Sequence, residues 1–131
     1  MFHRQDKDDF LQSNNGILCG SDKKLKEFCV ENFGLQRTDK GVDFVAKINN
    51  NIIVGEAKFI SASGGTQDKS FKDIKSLLDR NNWNQTRYHV IPIGILDGVP
   101  YLRDGHYNED LNHNDWNILS VLFLKEFLLS L

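Results

Sequence analysis

The chain has 131 residues, of which 40% are hydrophobic and 26% charged, and its formal net charge is −2. This composition is typical of a globular protein, and the length suits a single domain over 1–131 with its own core. The near-neutral charge argues against a polybasic nucleic-acid coat, although not against a local basic cleft. Cys19 and Cys29 are too few for a disulfide framework and form no C-x-x-C pair for zinc.

The sequence contains neither the pattern of a secretory signal nor that of a membrane span. The first ten residues, MFHRQDKDDF, are charged rather than apolar. The longest apolar run, ILSVLFLKEFLLSL, is interrupted by Lys125 and Glu126 and is too short to cross a bilayer. We therefore expect a cytoplasmic protein that does not associate with membranes.

The first third of the chain predicts a polar start followed by one helix. Residues 1–21 have few periodic apolar positions, so we expect them to be mobile or loosely docked. The helix is expected to begin after Ser21 or Asp22, because either side chain can accept hydrogen bonds from the free N–H groups of a first turn. Gly34 is a natural stop, since glycine readily adopts the left-handed backbone that ends many helices.

Residues 41–60, GVDFVAKINNNIIVGEAKFI, predict two strands joined by asparagines. Val, Ile and Phe are enriched at 42–48 and again at 52–60, as is typical of strands. The asparagines at 49–51 tolerate the left-handed backbone of a tight hairpin turn.

The second half predicts a helix, a strand and a last helix. After the loop SASGGTQD, Thr66 can cap a helix. The apolar face of this helix consists of Phe71, Ile74, Leu77 and Leu78. HVIPIGIL predicts a third strand with Pro92 at an edge or bulge, and Asp115 is expected to open a helix that is apolar nearly all round. The element order predicts an α/β fold with a mixed β-sheet flanked by helices.

Asp43, Glu56 and Lys58 interrupt the apolar pattern of the two hairpin strands. Glu56 and Lys58 are two residues apart and therefore share one face of their strand. If the turn consists of residues 49–50 alone, Asp43 faces Glu56 across the hairpin, whereas a turn one residue longer would shift this pairing.

Two facing carboxylates repel each other, so this arrangement calls for a compensating cation. Lys58 can neutralise one charge, and a hard divalent cation can neutralise the other. Mg²⁺ is suited to a site with Asp43, Glu56, the backbone carbonyl of Ala57, waters and a substrate phosphate. A metal beside a lysine suits the hydrolysis of phosphodiesters.

Asp43, followed after twelve residues by Glu56-Ala57-Lys58, resembles the signature of the PD-(D/E)XK nucleases. The wider string GVDF…IVGEAKFISASGGTQDKSF is most similar to the type II restriction endonucleases of that superfamily. The resemblance implies a restriction-endonuclease-like core that cleaves double-stranded DNA and leaves a 5′-phosphate. It also implies that Asp43 and Glu56 hold Mg²⁺ and that Lys58 assists the attacking water.

Further residues match other elements of this superfamily. Gln67 with Phe71 resembles the Q-x-x-x-Y element, in which the glutamine supports the site. An acidic residue on the preceding helix is also common in the family, and Glu31 is the better candidate because it projects nearer the apolar face than Glu27. The sequence departs from the family pattern at Val42, where the signature has proline, and at Phe71, where it has tyrosine.

Two alternatives remain open from the sequence. The chain can be a nuclease-fold DNA-binding or assembly module that does not cleave, or an interaction domain that uses its apolar C-terminal helix. Because 131 residues are few for a restriction enzyme, we also expect either a catalytic fragment or a subunit that needs a partner. Cutting both strands requires two active sites, which predicts a homodimer or a larger partner subunit.

Overall fold

The computed structural model describes residues 4–37, 40–60, 65–84, 87–98, 117–119 and 121–131. A mixed β-sheet of six strands runs through them, with the strands adjacent to one another in chain order. The strands are β1 (Arg4–Gln5), β2 (Gly16–Leu18), β3 (Phe44–Ile48), β4 (Asn51–Ile60), β5 (His89–Gly98) and β6 (Asn117–Leu119). The helices are α1 (Lys7–Gln12), α2 (Asp22–Phe33), α3 (Gly65–Leu78) and α4 (Val121–Leu129). The predicted α/β fold is therefore confirmed.

The sheet combines antiparallel and parallel pairs. β3 is antiparallel to both β2 and β4, whereas β1–β2, β4–β5 and β5–β6 are parallel. Parallel neighbours need a crossover connection, and α3 lies in the connection between β4 and β5. α3 is thereby brought over the sheet beside β4.

The β3–β4 hairpin has the register that a two-residue turn requires. Ile48 pairs with Asn51, and the intervening Asn49 and Asn50 have φ angles of 49° and 67°. Two consecutive positive φ angles define the turn that matches the twist of hairpin strands, and asparagine tolerates them well. This turn sets the register of every later pair along the hairpin.

α2 begins and ends where its sequence predicts. The Ser21 side chain accepts a hydrogen bond from the N–H of Lys24, and Gly34 ends the helix with a φ of 69°. Both terminal contacts are local, which explains why the sequence pattern identifies them.

The core lies on both faces of the sheet. One cluster joins α1, α2 and α3 to the face of the sheet that carries Val45, Ile52 and Val54. The other joins α4 to the face that carries Ile48, Ile53, Ile91 and Ile93. Burial of each such side chain stabilises the fold by roughly 1.5–3 kcal/mol. Within the described residues, no helix is long and apolar enough to cross a membrane.

The N-terminal region differs from the sequence-based expectation. Residues 4–18 form β1, α1 and β2 and extend the sheet instead of remaining loosely docked. Phe10 is fully buried and meets the ring of Phe28 edge-on at a centroid distance of 5.7 Å. The pattern fails here because the elements are short and depend on long-range contacts.

Three smaller differences concern the second half. α3 begins at Gly65, one residue before the predicted cap Thr66. The last helix begins at Val121 and is preceded by β6, while Asp115 lies outside the described residues. Pro92 pairs with Val54 of β4 and directly precedes the part of β5 that pairs with β6, so its missing N–H interrupts no pairing with β6.

Candidate active site

The site lies next to the start of β3, where β4 continues without a neighbouring strand on that edge in the described part of the chain. The ladder between the two strands stops at Phe44 and Gly55, whereas β4 runs on to Ile60. The N–H of Ala57 therefore has no partner in β3, and the side chain of Asp43 takes this place, with 2.7 Å between Oδ2 and the Ala57 nitrogen. This open edge of β4 holds the exposed carboxylate of Asp43 against the backbone beside Glu56.

Packing on the opposite face fixes the start of β3. The ring of Phe44 covers Gly55 so closely that a Cβ there would lie 2.1 Å from the ring carbon Cζ. The backbone N–H of Asp43 also donates to the Gly55 carbonyl at 3.0 Å. Gly55 is thus required for the approach that places Asp43 at the open edge.

Glu56 is buried, with 4% of its surface exposed, and it is paired with an arginine. The Nη2 atom of Arg37 donates to both carboxylate oxygens of Glu56, at 3.0 and 3.3 Å, and to the backbone carbonyl of Asp73 at 3.3 Å. Glu56 therefore reaches this burial with its charge compensated, as a buried carboxylate requires.

Lys58 lies between two acids on the same face. Its Nζ is 3.9 Å from Oε1 of Glu56 and 3.7 Å from Oδ2 of Asp73. The same Asp73 oxygen lies 3.6 Å from Nζ of Lys40. Asp73 thus links two partly exposed ammonium groups, and Lys58 is shared between a β4 acid and an α3 acid.

α3 packs close to the site because the residue of β5 beneath it is a glycine. Gly94 pairs with Glu56 across β4 and β5, and a Cβ on Gly94 would lie 2.5 Å from Cγ2 of Ile74. The helix residue next to Ile74 is Asp73, which is brought over Glu56 and Lys58 by this contact.

The sequence-predicted residues do not all meet. Asp43, Glu56, Ala57 and Lys58 converge at the open edge of β4. Gln67 lies in the first turn of α3, and its side chain lies outside the described part of the chain.

Glu31 lies near the end of α2 and is exposed, and within the described ranges it makes no ion pair with Lys58. The start of α2 is the part beside the site, because the Asp22 carbonyl accepts a hydrogen bond from the N–H of Val42. Nine residues of helix, about 13 Å, separate Glu31 from Asp22. Its role stays a prediction.

The sequence pattern did not indicate three further residues of the site, Arg37, Lys40 and Asp73. Asp73 carried a detectable signal, because it precedes Leu77 by four residues and so borders the apolar face of α3. Arg37 and Lys40 lie in the connection between α2 and β3 and carry no periodic signal. Their position depends on how α3 docks, which the local sequence does not encode.

The buried thiol does not belong to this site. Burial raises the pKa of Cys29 to about 12, so the thiolate is not available near neutral pH. Cys29 is therefore a core thiol rather than a nucleophile.

The oxygen donors at the open edge suit a hard divalent cation. Asp43 and Glu56 provide carboxylates, and the carbonyl of Ala57 points to the same edge as its N–H, since both groups of a strand residue face one neighbour. Within the described residues, no three His, Cys, Asp or Glu side chains form a cluster that could hold a metal. A site here would therefore rest on two carboxylates, a carbonyl and waters, as Mg²⁺ sites often do.

The mixed sheet flanked by helices, with α3 in the crossover between β4 and β5, is an α/β fold consistent with a restriction-endonuclease-like core. A family model described as the Tsp45I type II restriction enzyme matches residues 4–131, and the chain belongs to this family. The family is one of type II restriction endonucleases, whose substrate is DNA. No curated protein and no solved structure matches the chain.

Proposed function

We propose that the protein is a Mg²⁺-dependent endonuclease of the PD-(D/E)XK type that hydrolyses phosphodiester bonds of double-stranded DNA. The observation that carries this proposal is the meeting of Asp43, Glu56 and Lys58 at the open edge of β4 in a member of a restriction enzyme family. Asp43, Glu56 and the Ala57 carbonyl hold the metal, and Lys58 orients the attacking water. Gln67 and Glu31 are supporting groups.

The chemistry follows from the charges of these side chains. Bound Mg²⁺ supplies polarisation of the scissile phosphodiester. The Lys58 ammonium offsets charge that develops on the phosphate while it orients the water. The water oxygen bonds to phosphorus and gives up a proton to solvent. The bond between phosphorus and the 3′ oxygen breaks, and that oxygen takes up a proton from solvent, which leaves a 5′-phosphate and a 3′-hydroxyl. Lys40 shares the Asp73 carboxylate, so Asp73 does not engage Lys58 alone.

The proposed setting is a single nuclease-like domain in the cytoplasm that acts as a homodimer or with a larger partner subunit. Two active sites are needed to cut both strands, which is why a second copy or partner is included. The exposed Lys69 and Lys72 of α3 follow the site in sequence and can contact DNA phosphates. A molar mass of one chain in solution, with and without DNA, would contradict the dimer.

The test is cleavage of plasmid DNA by wild type and Lys58→Ala, each with Mg²⁺ or with EDTA. We expect Lys58→Ala to lose roughly 10²–10³-fold in rate, as is typical when one preorganised group that stabilises developing charge is removed. Lys7→Ala, which removes an exposed lysine of α1, is the matched control and should cut like wild type. Equal cutting by Lys58→Ala, or cutting in EDTA, would contradict the mechanism.

A second candidate is a nuclease-fold DNA-binding or assembly module that does not cleave. It is favoured by one observation, namely that both carboxylate oxygens of Glu56 are engaged by Arg37. Calorimetric titration of Mg²⁺ or Mn²⁺ into wild type and Asp43→Asn separates the two candidates. Binding by wild type that weakens in Asp43→Asn supports the nuclease, and DNA binding without any metal binding supports the module.

A further inference from the structure

We propose that Arg37 is a counter-cation that occupies Glu56 in the metal-free protein and lowers the affinity of the site for divalent metal. This inference rests on the proposed function, because it assumes that Glu56 is a metal ligand. It assigns Arg37 as a positioning residue that must release part of Glu56 when metal enters.

The hydrogen bonds of Arg37 are unevenly distributed. A single nitrogen, Nη2, serves both oxygens of Glu56 and the carbonyl of Asp73, at 3.0 to 3.3 Å. The other two nitrogens, Nε and Nη1, are buried and have no hydrogen-bond partner in the described part of the chain. The Arg37 side chain is only 4% exposed, and its guanidinium is thus held in place chiefly by the charge of Glu56.

A purely structural arginine would be expected to use its donors. Buried polar groups are nearly always hydrogen-bonded, because each unsatisfied donor destabilises the fold. Arg37 leaves two nitrogens without hydrogen bonds, at a cost in stability, while it neutralises the Glu56 carboxylate beside the open edge of β4. Its role is therefore better explained by the charge of Glu56 than by the packing of the loop.

A metal bound to Glu56 would lie within a few ångströms of the guanidinium. Two like charges at that separation repel each other appreciably, even with strong screening by water. In addition, one Glu56 oxygen must exchange a hydrogen bond to Nη2 for the metal. Removal of the Arg37 charge should therefore tighten metal binding by about tenfold or more, which is the opposite of what loss of a merely supporting residue would do.

The experiment is calorimetric titration of Mg²⁺, and separately of Ca²⁺, into wild type, Arg37→Gln and Lys40→Gln without DNA. Arg37→Gln keeps a donor for Glu56 but removes the charge. Lys40→Gln is the matched control, because it removes one charge from the same cluster at a residue that contacts Asp73 instead of Glu56. We expect about tenfold or greater tightening in Arg37→Gln and less than about threefold in Lys40→Gln.

Thermal unfolding provides a second readout. Metal-free Arg37→Gln should melt below wild type, and Ca²⁺ should raise its Tm by more than it raises that of wild type, because bound ligand stabilises the folded state. If Arg37→Gln does not fold without metal, folding on addition of Ca²⁺, followed by circular dichroism, counts as support. If Arg37→Gln folds in neither condition, the same titration is carried out with Arg37→Met. Tighter metal binding in that variant then supports the inference, and unchanged or weaker binding overturns it.

The outcomes separate this inference from the proposed function. Unchanged or weaker metal binding in the Arg37 variant, with normal binding in wild type, overturns the inference and leaves the nuclease proposal intact. Equal tightening in the Arg37 and Lys40 variants also overturns it, since the effect would then be general to the cluster. If no variant and no wild type binds metal, both proposals fail.

Discussion

A buried cation lies at each end of the β3–β4 hairpin, and the two cations differ in their hydrogen bonds. At the closed end, next to the turn, Lys47 donates to the carbonyls of Phe10 and Leu11 at 2.9 and 3.1 Å and lies 5.1 Å from the centroid of the Phe10 ring. These carbonyls lie in the last turn of α1, where a positive charge is favourable. At the open end, Arg37 faces Glu56 and leaves two nitrogens unpaired.

This difference separates a structural charge from a functional one. Lys47 is satisfied by backbone atoms and ties α1 to the sheet, so nothing further is required at that end. The pair of Arg37 and Glu56 is neutral but incompletely hydrogen-bonded, which makes it exchangeable. We therefore expect changes at the closed end to affect stability alone and changes at the open end to affect both stability and metal binding.

The largest effect is expected for Glu56→Ala. This change leaves Arg37 buried without a charge partner, so the free energy of unfolding should fall by about 3–5 kcal/mol, and metal binding should be lost. Glu56→Gln keeps an acceptor for Arg37 and should lose less stability while it also loses metal binding. Urea unfolding measures the first effect and calorimetry the second. Equal stabilities for Glu56→Ala and wild type would contradict a buried ion pair.

A second change tests the packing behind the open end. Gly55→Ala forces a Cβ into the ring of Phe44 and should destabilise the protein by roughly 1–3 kcal/mol. It should also weaken metal binding, because the start of β3 and with it Asp43 must shift. The double variant Phe44→Leu with Gly55→Ala should recover part of the lost stability, as measured by urea unfolding. A Gly55→Ala variant as stable as wild type would mean that the ring moves aside freely.

At the closed end, Lys47→Met should lower the free energy of unfolding by about 1–2 kcal/mol. Two hydrogen bonds to carbonyls are lost, but the removal of a buried charge offsets part of that loss. DNA cleavage, expressed per folded molecule, should not change. A drop in metal affinity in this variant would break the proposed separation of the two ends.

The pH dependence of stability sharpens the same point. Burial lowers the pKa of Lys47 below the ordinary 10.5, and the nearby Tyr88 partly raises it again. Between the lowered value and 10.5, the unfolded chain binds more protons than the folded one, so this lysine makes stability rise with pH in that window. Lys47→Met should lack that rise. Urea unfolding of both proteins from neutral pH to above 10 tests this, and parallel curves would contradict it.

The smallest effect is expected for Asn50→Gly, in the turn itself. Asn50→Gly should stabilise the hairpin by a few tenths of a kcal/mol, because glycine adopts a φ of 67° without strain. Asn50→Val should instead destabilise it by roughly 1–2 kcal/mol, since a branched side chain resists the left-handed backbone. The midpoints of urea unfolding rank the three proteins. The reverse order would contradict the assigned turn.

Features set by neighbouring residues were predictable from the sequence. The cap at Ser21, the stop at Gly34 and the asparagine turn depend on backbone angles and hydrogen bonds within a few residues. The turn in turn determined the register, which the sequence had left open between a two-residue and a longer turn. The side of β4 shared by Glu56 and Lys58 followed from strand alternation alone.

The partners of these side chains were not predictable in the same way. Arg37 is 19 residues before Glu56 in the chain, and no pattern in its loop indicates burial. Asp73 belongs to a helix with nearly equal numbers of positive and negative charges, so its composition does not indicate which acid lies over β4. The packing of Phe10 likewise depends on contacts with α2, and the polar sequence around it predicts a loose segment instead.

By itself, the sequence determined which side chains β3 and β4 present, because alternation and turn chemistry act over a few residues. Only the tertiary structure decided what those side chains meet. The docking of α3 onto Gly94 brings Asp73 to Lys58, and the loop before β3 brings Arg37 to Glu56. The physical reason is that the partner of a buried charge is determined by how the helices and loops pack around it. This packing depends on contacts between residues far apart in the chain.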